Sequence, residues 1–215
     1  MTGIIVIGDV HAKFDEYYKL ARRSKYSIQV GDFGFSHTWN QLEYSNLQYR
    51  QHKIIGGNHD DINFVRNSNH SLGGYGSRKL NGIEFFVIRG GISLDRVYRS
   101  IHELQSNEKT YWYQEELTFK EMLGCIHEFH MNRPEIVISH TCPGILLNKI
   151  HNSSRFLQEY GFEPTFIENT SLMLNECFKL HKPKKWIFGH HHKSFRAIVD
   201  GTEFIGLNEL EVYEL

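Results

Sequence analysis

Over the first 66 residues, short apolar runs alternate with amphipathic stretches. Residues 3–7 are β-branched, 14–23 have the mixed spacing of a helix, and 26–30 form the next apolar run. Residues 38–50 read as a second helix, 53–55 as a third strand and 62–66 as a short helix. Strands and helices alternating at this pace predict a parallel sheet. The style then changes. Residues 67–77 are rich in Asn, Ser and Gly and read as a loop; Gly73-Gly74-Tyr75-Gly76 lacks a following GK[ST], so it is flexible chain and not a nucleotide cradle. Residues 83–88 form a strand behind the hairpin pair Asn81-Gly82. Residues 90–112 have weak periodicity and read as a long connection, followed by a helix at 115–130 that stops before Pro134 and a strand at 136–138. After an irregular stretch at 141–165 come a helix at 167–180 and a strand at 186–188. Strands at 195–199 and 203–207, joined through Asp200-Gly201, make a closing hairpin. With no repeat, low-complexity segment or linker, residues 1–215 read as one domain. The two irregular stretches are longer than a compact domain normally holds, which marks them as walls or lids of a site.

Composition narrows the classes. At 215 residues, 40% hydrophobic and 23% charged, the chain can bury a core without disulfides. The three cysteines, Cys125, Cys142 and Cys177, are odd in number and form no CxxC pair, which fits a reducing cytoplasm. Neither a signal peptide nor an apolar run near 18 residues is visible, so no membrane contact is expected. A net charge of −1 advertises no nucleic-acid partner, although bound metal ions could supply local positive charge to a polyanion. Histidine is the outlier at 14 residues. Metal chemistry is therefore the first candidate.

Five strand-like runs end in clusters of metal-ligand residue types. They are Gly8-Asp9-Val10-His11, Gly31-Asp32, Asn58-His59-Asp60, Ser139-His140 and Gly189-His190-His191-His192. Ligand crevices in open α/β folds lie at the carboxyl ends of strands, so all five clusters are expected on one sheet edge. If the backbone there is extended, residues i and i+2 point the same way, and Asp9 with His11, and His190 with His192, each aim at one place. Carboxylate, imidazole and amide oxygen suit divalent ions of the Mn, Fe, Zn or Mg kind, and the lack of thiolate argues against a structural zinc site. The glycine before each cluster is expected to allow a tight backbone turn.

GDVH at 8–11, GDFG at 31–34, GNHD at 57–60, SH at 139–140 and GHHH at 189–192 together resemble the five-block signature of calcineurin-like metallophosphoesterases. The blocks stand in the family order across nearly the whole chain. The resemblance implies a four-layer αββα sandwich of two mixed β-sheets. It further implies two divalent metal ions, manganese foremost, with iron, zinc, nickel or magnesium as alternatives. Asp9, His11 and His192 would hold one ion, Asn58, His140 and His190 the other, and Asp32 both. His59 would face the scissile phosphate, with Asp60 hydrogen-bonded to its imidazole. The protein Ser/Thr phosphatases of the family carry GDxVDRG and GNHE, which this chain lacks. Purple acid phosphatases place a tyrosine where Phe35 stands, so no iron–tyrosinate colour is expected. GGISLDR at 90–96 and WYQEE at 112–116 look similar to small phage and bacterial members, without naming a substrate.

The implied chemistry is hydrolysis of a phosphate ester by a water acidified between two ions about 3.5–4 Å apart, with His59 assisting the leaving group. A small phosphorylated molecule or nucleotide, as monoester or diester, ranks first as substrate. A nuclease or end-processing enzyme on DNA or RNA comes second, and an inactive interaction scaffold last, since every ligand position is filled. Arg96 and Arg99 in the first irregular stretch are candidates for gripping substrate oxygens, weighed against structural salt bridges. His191 is expected to be solvated or packed, and Cys142 to be a small buried hydrophobe.

Overall fold

A computed structural model describes residues 3–34, 47–151, 155–163 and 165–215. The expected helix at 38–50 and Phe35 lie largely or wholly outside these residues. Strands β1 (Ile4–Ile7), β2 (Tyr26–Gln29), β3 (His52–Ile54) and β10 (Val212–Glu214) form a sheet ordered β10-β1-β2-β3. Strands β4 (Tyr75–Leu80), β5 (Ile83–Ile88), β6 (Ile136–Ser139), β7 (Lys185–Phe188), β8 (Phe195–Val199) and β9 (Thr202–Gly206) form a second, ordered β4-β5-β6-β7-β9-β8. The first sheet is parallel except where β10 joins β1, and the second is parallel from β5 through β6 and β7 to β9 with an antiparallel pairing at each end.

Alternation along the strands builds the layers. Ile4 and Val6 of β1 pack with Ile138, Ile187 and Ile205 of the other sheet, forming the core between sheets. Ile5 and Ile7 point the opposite way, into a cluster with Phe14, Tyr17 and Ala21 of α1 (Phe14–Ala21) and Val65 of α2 (Ile62–Asn67). On the far side, Val137, Trp186 and Phe204 meet α4 (Phe119–Asn132) and α7 (Asn169–Leu180) through Phe129 and Phe178. The result is the αββα sandwich. Helices cover both outer faces, so β1 reads as an unbroken apolar run instead of an alternating one.

Several local expectations are corrected. The loop at 67–77 gives way at Tyr75 to β4, which pairs with β5 across Asn81-Gly82. Both turn residues have positive φ (47° and 81°), as the favoured two-residue hairpin turn requires. The connection at 90–112 contains a helix, α3 (Arg96–Ser106), with no buried residue; Val97, Ile101 and Leu104 make an exposed stripe. Helix α4 starts at Phe119 and not 115, because Thr118 and Glu121 form a reciprocal capping box. The stretch at 141–165 holds short helical turns, Gly144–Leu146, α5 (Leu147–Ile150) and α6 (Arg155–Glu159). Strand β10, not anticipated, covers the free edge of β1. Among the described residues no helix is long and apolar enough to cross a membrane.

Candidate metal centre

The five blocks follow β1, β2 and β3 of one sheet and β6 and β7 of the other, so the crevice lies where the carboxyl ends of two sheets meet, not on one sheet edge. The backbone amides of Val10 and His11 both donate to the Asp32 carbonyl, at 3.0 and 2.7 Å, tying the first two blocks together. The His190 amide donates to the Asp9 carboxylate (3.0 Å), and the His140 amide to the Ile88 carbonyl (3.0 Å).

These loops are not extended. His11, Asp32, His190 and His192 all have left-handed backbones, with φ from 46° to 67°. For a residue with a Cβ this costs on the order of 1–2 kcal/mol. His190 and His192 accordingly do not share a target. Donor atoms of Asp9, His11, Asp32 and His192 lie within 4.8 Å of one another, whereas His190 joins Asp32 and His140 in a second group. Asp32 belongs to both. Asn58 stands in the second group as well, with Oδ1 2.7 Å from His140 Nε2.

The glycines before the blocks serve close approach more than turning. Gly57 and Gly189 have no positive φ, yet a Cβ on either would overlap a carboxylate oxygen, that of Asp32 or Asp9.

The donor chemistry fits cations. His140 Nδ1 lies 2.9 Å from the Val30 carbonyl and must donate to it, which leaves Nε2 as a lone pair facing Asn58 Oδ1. Asn58 in turn donates Nδ2–H to Ser93 Oγ (2.9 Å), so its oxygen also faces inward. Two acceptors at 2.7 Å with no proton between them call for a positive ion. Asp32 Oδ1 accepts from the His59 amide (2.8 Å), while Oδ2 is buried with no hydrogen-bond partner. Burial, then the charges of Asp9 and Asp60, push the Asp32 carboxyl well above its ordinary range. Burial pulls the His140 imidazole down to about 3 and His190 well below its usual value, so both are neutral and free to ligate.

His59 lies at the rim, its Nε2 3.8 Å from Asp32 Oδ2, and belongs to neither ligand group. Burial, with the positive charge of Arg99 next, lowers its pKa. The expected imidazole–Asp60 bond is absent: His59 Nδ1 has no hydrogen-bond partner among the described residues. Asp60 accepts instead from the amides of Gly57 (2.9 Å), Gly34 (2.9 Å) and Phe33 (3.2 Å), clamping the loops after β2 and β3. Short polar loops without a ladder of their own need such a clamp, which is why the carboxylate is drawn to backbone.

Arg99 and Arg96 part ways. Arg99 is held by Asp95 (2.8 Å) and the Thr110 carbonyl (3.1 Å), and its charge reaches His59 and Asp32. The Arg96 guanidinium lies over the Phe162 ring at 5.4 Å. Cys142 is fully buried, and His191 is packed: its Nδ1 lies 3.1 Å from His151 and its Nε2 3.3 Å from Cys142 Sγ.

Three residues escaped the sequence reading. Buried Glu168 accepts from the Ile92 amide and lies 3.8 Å from His190 Nε2; burial raises its pKa to about 7. Glu115 accepts from the Ser93 amide (3.0 Å) and so steadies the hydroxyl that orients Asn58. Glu209 lies 3.4 Å from His192 Nδ1. None sits in a ligand block, although Glu115 lies in the WYQEE segment at 112–116; only the tertiary fold brings them to the centre.

The match to proteins of known kind follows the same pattern. No curated protein matches the chain. Among solved structures it is similar to a dimetal phosphatase from Danio rerio, with 13% identity and TM-score 0.57, covering 97% of this chain and 88% of that one. It is also similar to a putative 5'-nucleotidase from Staphylococcus aureus, with 14% identity and TM-score 0.50; there 98% of this chain covers 49% of the other. At these identities the likeness shows the fold alone. The family model for calcineurin-like phosphoesterases matches residues 2–194, a span that takes in all five blocks. On that match, the chain belongs to the calcineurin-like phosphoesterases.

Proposed function

We propose that this phosphoesterase hydrolyses esters of small phosphorylated molecules with two divalent ions, manganese foremost. One ion would be held by Asp9, His11 and His192, the other by Asn58, His140 and His190, and both by Asp32. The observation that carries this reading is the position of Asp32: it is common to both donor groups, and its buried Oδ2 has no other partner.

When bound, the ions supply positive charge for the phosphoryl oxygens and a water of lowered pKa as nucleophile. The chain's own residues do the rest. His140 is fixed in one tautomer by the Val30 carbonyl, and Asn58 in one orientation by Ser93. Asp60 keeps the loops bearing Asp32 and His59 in register. In this reading His59, at the rim and outside both groups, faces the leaving oxygen and donates a hydrogen bond to it, or a proton once the negative charge of the phosphate raises its basicity. Arg99, anchored but electrostatically coupled to His59, adds positive charge on the substrate side.

Manganese-loaded protein should hydrolyse 4-nitrophenyl phosphate or its bis-aryl diester, and chelation should abolish turnover. The ratio of the two rates assigns monoester or diester preference. No turnover of either by protein holding two ions per chain would refute the reading.

A further inference from the structure

A cavity of about 590 Å³ opens directly beside the centre, with Asn58, His59, His190 and His192 at one end. Its far wall belongs to the second irregular stretch and the segment that follows it, through Leu147, Leu157, Tyr160, Phe166 and Ile167, faced by Leu94. This volume is in the range that takes a small organic ligand. The acidic groups on the wall and two of its imidazoles are already engaged, while Asn148 and Thr165 add neutral polar groups. His151 and His191 bond each other, Asp95 holds Arg99, and Glu168 accepts from Thr141, Ser171 and Ile92. Among the described residues no Lys or Arg lines the cavity. The described lining thus offers no cationic side chain to a second phosphate or a nucleic-acid backbone.

From this lining we infer that the cavity is a leaving-group pocket for an uncharged alcohol bearing an aromatic or similarly flat apolar group. The inference rests on the proposed phosphoesterase reading for the placing of the phosphate. His59 is at the cavity mouth and faces the leaving oxygen in that reading, so the group behind that oxygen enters the cavity. Leucine, isoleucine and phenylalanine then exclude water around it, and Tyr160 and Phe166 offer ring faces.

Two experiments separate this inference from the reading beneath it. Calorimetry on manganese-loaded protein compares 3-phenylpropylphosphonate with ethylphosphonate, which share a headgroup and differ only in apolar bulk. The phenyl compound should bind at least about tenfold more tightly, and Tyr160→Ala, at an exposed position, should shrink that ratio. Leu147→Lys should shift preference toward 1,3-propanediol bisphosphate. Turnover of 3-phenylpropyl phosphate against ethyl phosphate, whose leaving groups are of similar basicity, should show the same bias. Equal binding of the two phosphonates, or wild-type preference for the bisphosphate, overturns the pocket assignment. Discrimination between phosphonates without turnover of any ester upholds the pocket and removes the phosphoesterase chemistry instead.

Discussion

Replacing Asp32 by Asn should stabilise the metal-free protein and destabilise the metal-loaded one. The substitution keeps shape. Oδ1 still accepts the His59 amide at 2.8 Å, while the buried Oδ2, now without a donor, becomes an N–H₂ group. That group faces His11 Nε2 at 3.7 Å and His59 Nε2 at 3.8 Å, both able to accept after small adjustments. Removing one unsatisfied buried acceptor is worth about 1–3 kcal/mol, and here the removed group is also flanked by the charges of Asp9 and Asp60. For a domain of this size the metal-free melting temperature should rise by about 2–12 °C. With metal the order inverts. A site filled at a thousandfold its Kd contributes about 4 kcal/mol of stability, and the variant loses a ligand common to both sites. Melting curves in chelator and in excess manganese, with metal content by atomic emission, give both halves of the test. A variant that melts lower than wild type in chelator and still holds two ions would refute the role of Asp32.

Three further outcomes are expected. His59→Ala should keep its metal content and lose about 10²–10⁴ in kcat on an alkyl ester, less on a nitrophenyl ester that needs no proton; loss of metal would make His59 a ligand. Arg99→Ala should weaken kcat/KM more than Arg96→Ala, whose guanidinium is stacked on Phe162, and equal small losses would move substrate contacts away from both arginines. His52 is buried against Ser27 Oγ (2.9 Å), and burial lowers its pKa to about 4 from 6.5. The folded state therefore binds fewer protons than the unfolded one between those values, so the stability is present above pH 6.5 and is lost as pH falls toward 4. His52→Gln should lose less stability than wild type between pH 6.5 and 4 in paired urea titrations, and parallel pH curves would exclude the effect.

What was legible in the sequence follows from which interactions are local. Apolar runs such as Ile4–Ile7 and Ile83–Ile88, and hairpin pairs such as Asn81-Gly82, carry their own signal and stand where expected. The ligand blocks were legible because each is contiguous, and the structure brings their donors into two groups. Helix α3 was missed because nothing in it is buried, so its stripe of Val97, Ile101 and Leu104 has no core to answer to. Strand β10 was missed because three residues carry no periodicity and its partner lies at the other end of the chain. Glu115, Glu168 and Glu209 act across long sequence separations; Glu168 and Glu209 have no local pattern to betray them, and the WYQEE segment around Glu115 names no partner. The Asp60–His59 bond failed for the opposite reason: adjacency in sequence suggested it, but three backbone amides compete for the same carboxylate.

The strain at the centre is held by the sandwich, and register explains how. Ile7 pairs with Gln29 and Ser139 with Phe188, so neighbouring strands end at fixed relative heights. Asp9 and Asp32 leave one sheet, and His140 and His190 the other, within three residues of those ladders. A slip of one residue would turn Ile4 and Val6 out of the inter-sheet core, at a loss far larger than any strain in the loops. The core thereby fixes the loop ends firmly enough to hold four left-handed residues and a buried carboxylate that has no donor on one oxygen. Each of those features is unfavourable in the empty chain, and each brings an oxygen or nitrogen donor into one of the two groups that meet at Asp32. A cation binding there meets ligands already in place, so its binding energy is not spent on ordering them. Stability of the inter-sheet core and affinity for metal are, in this fold, set by the same contacts.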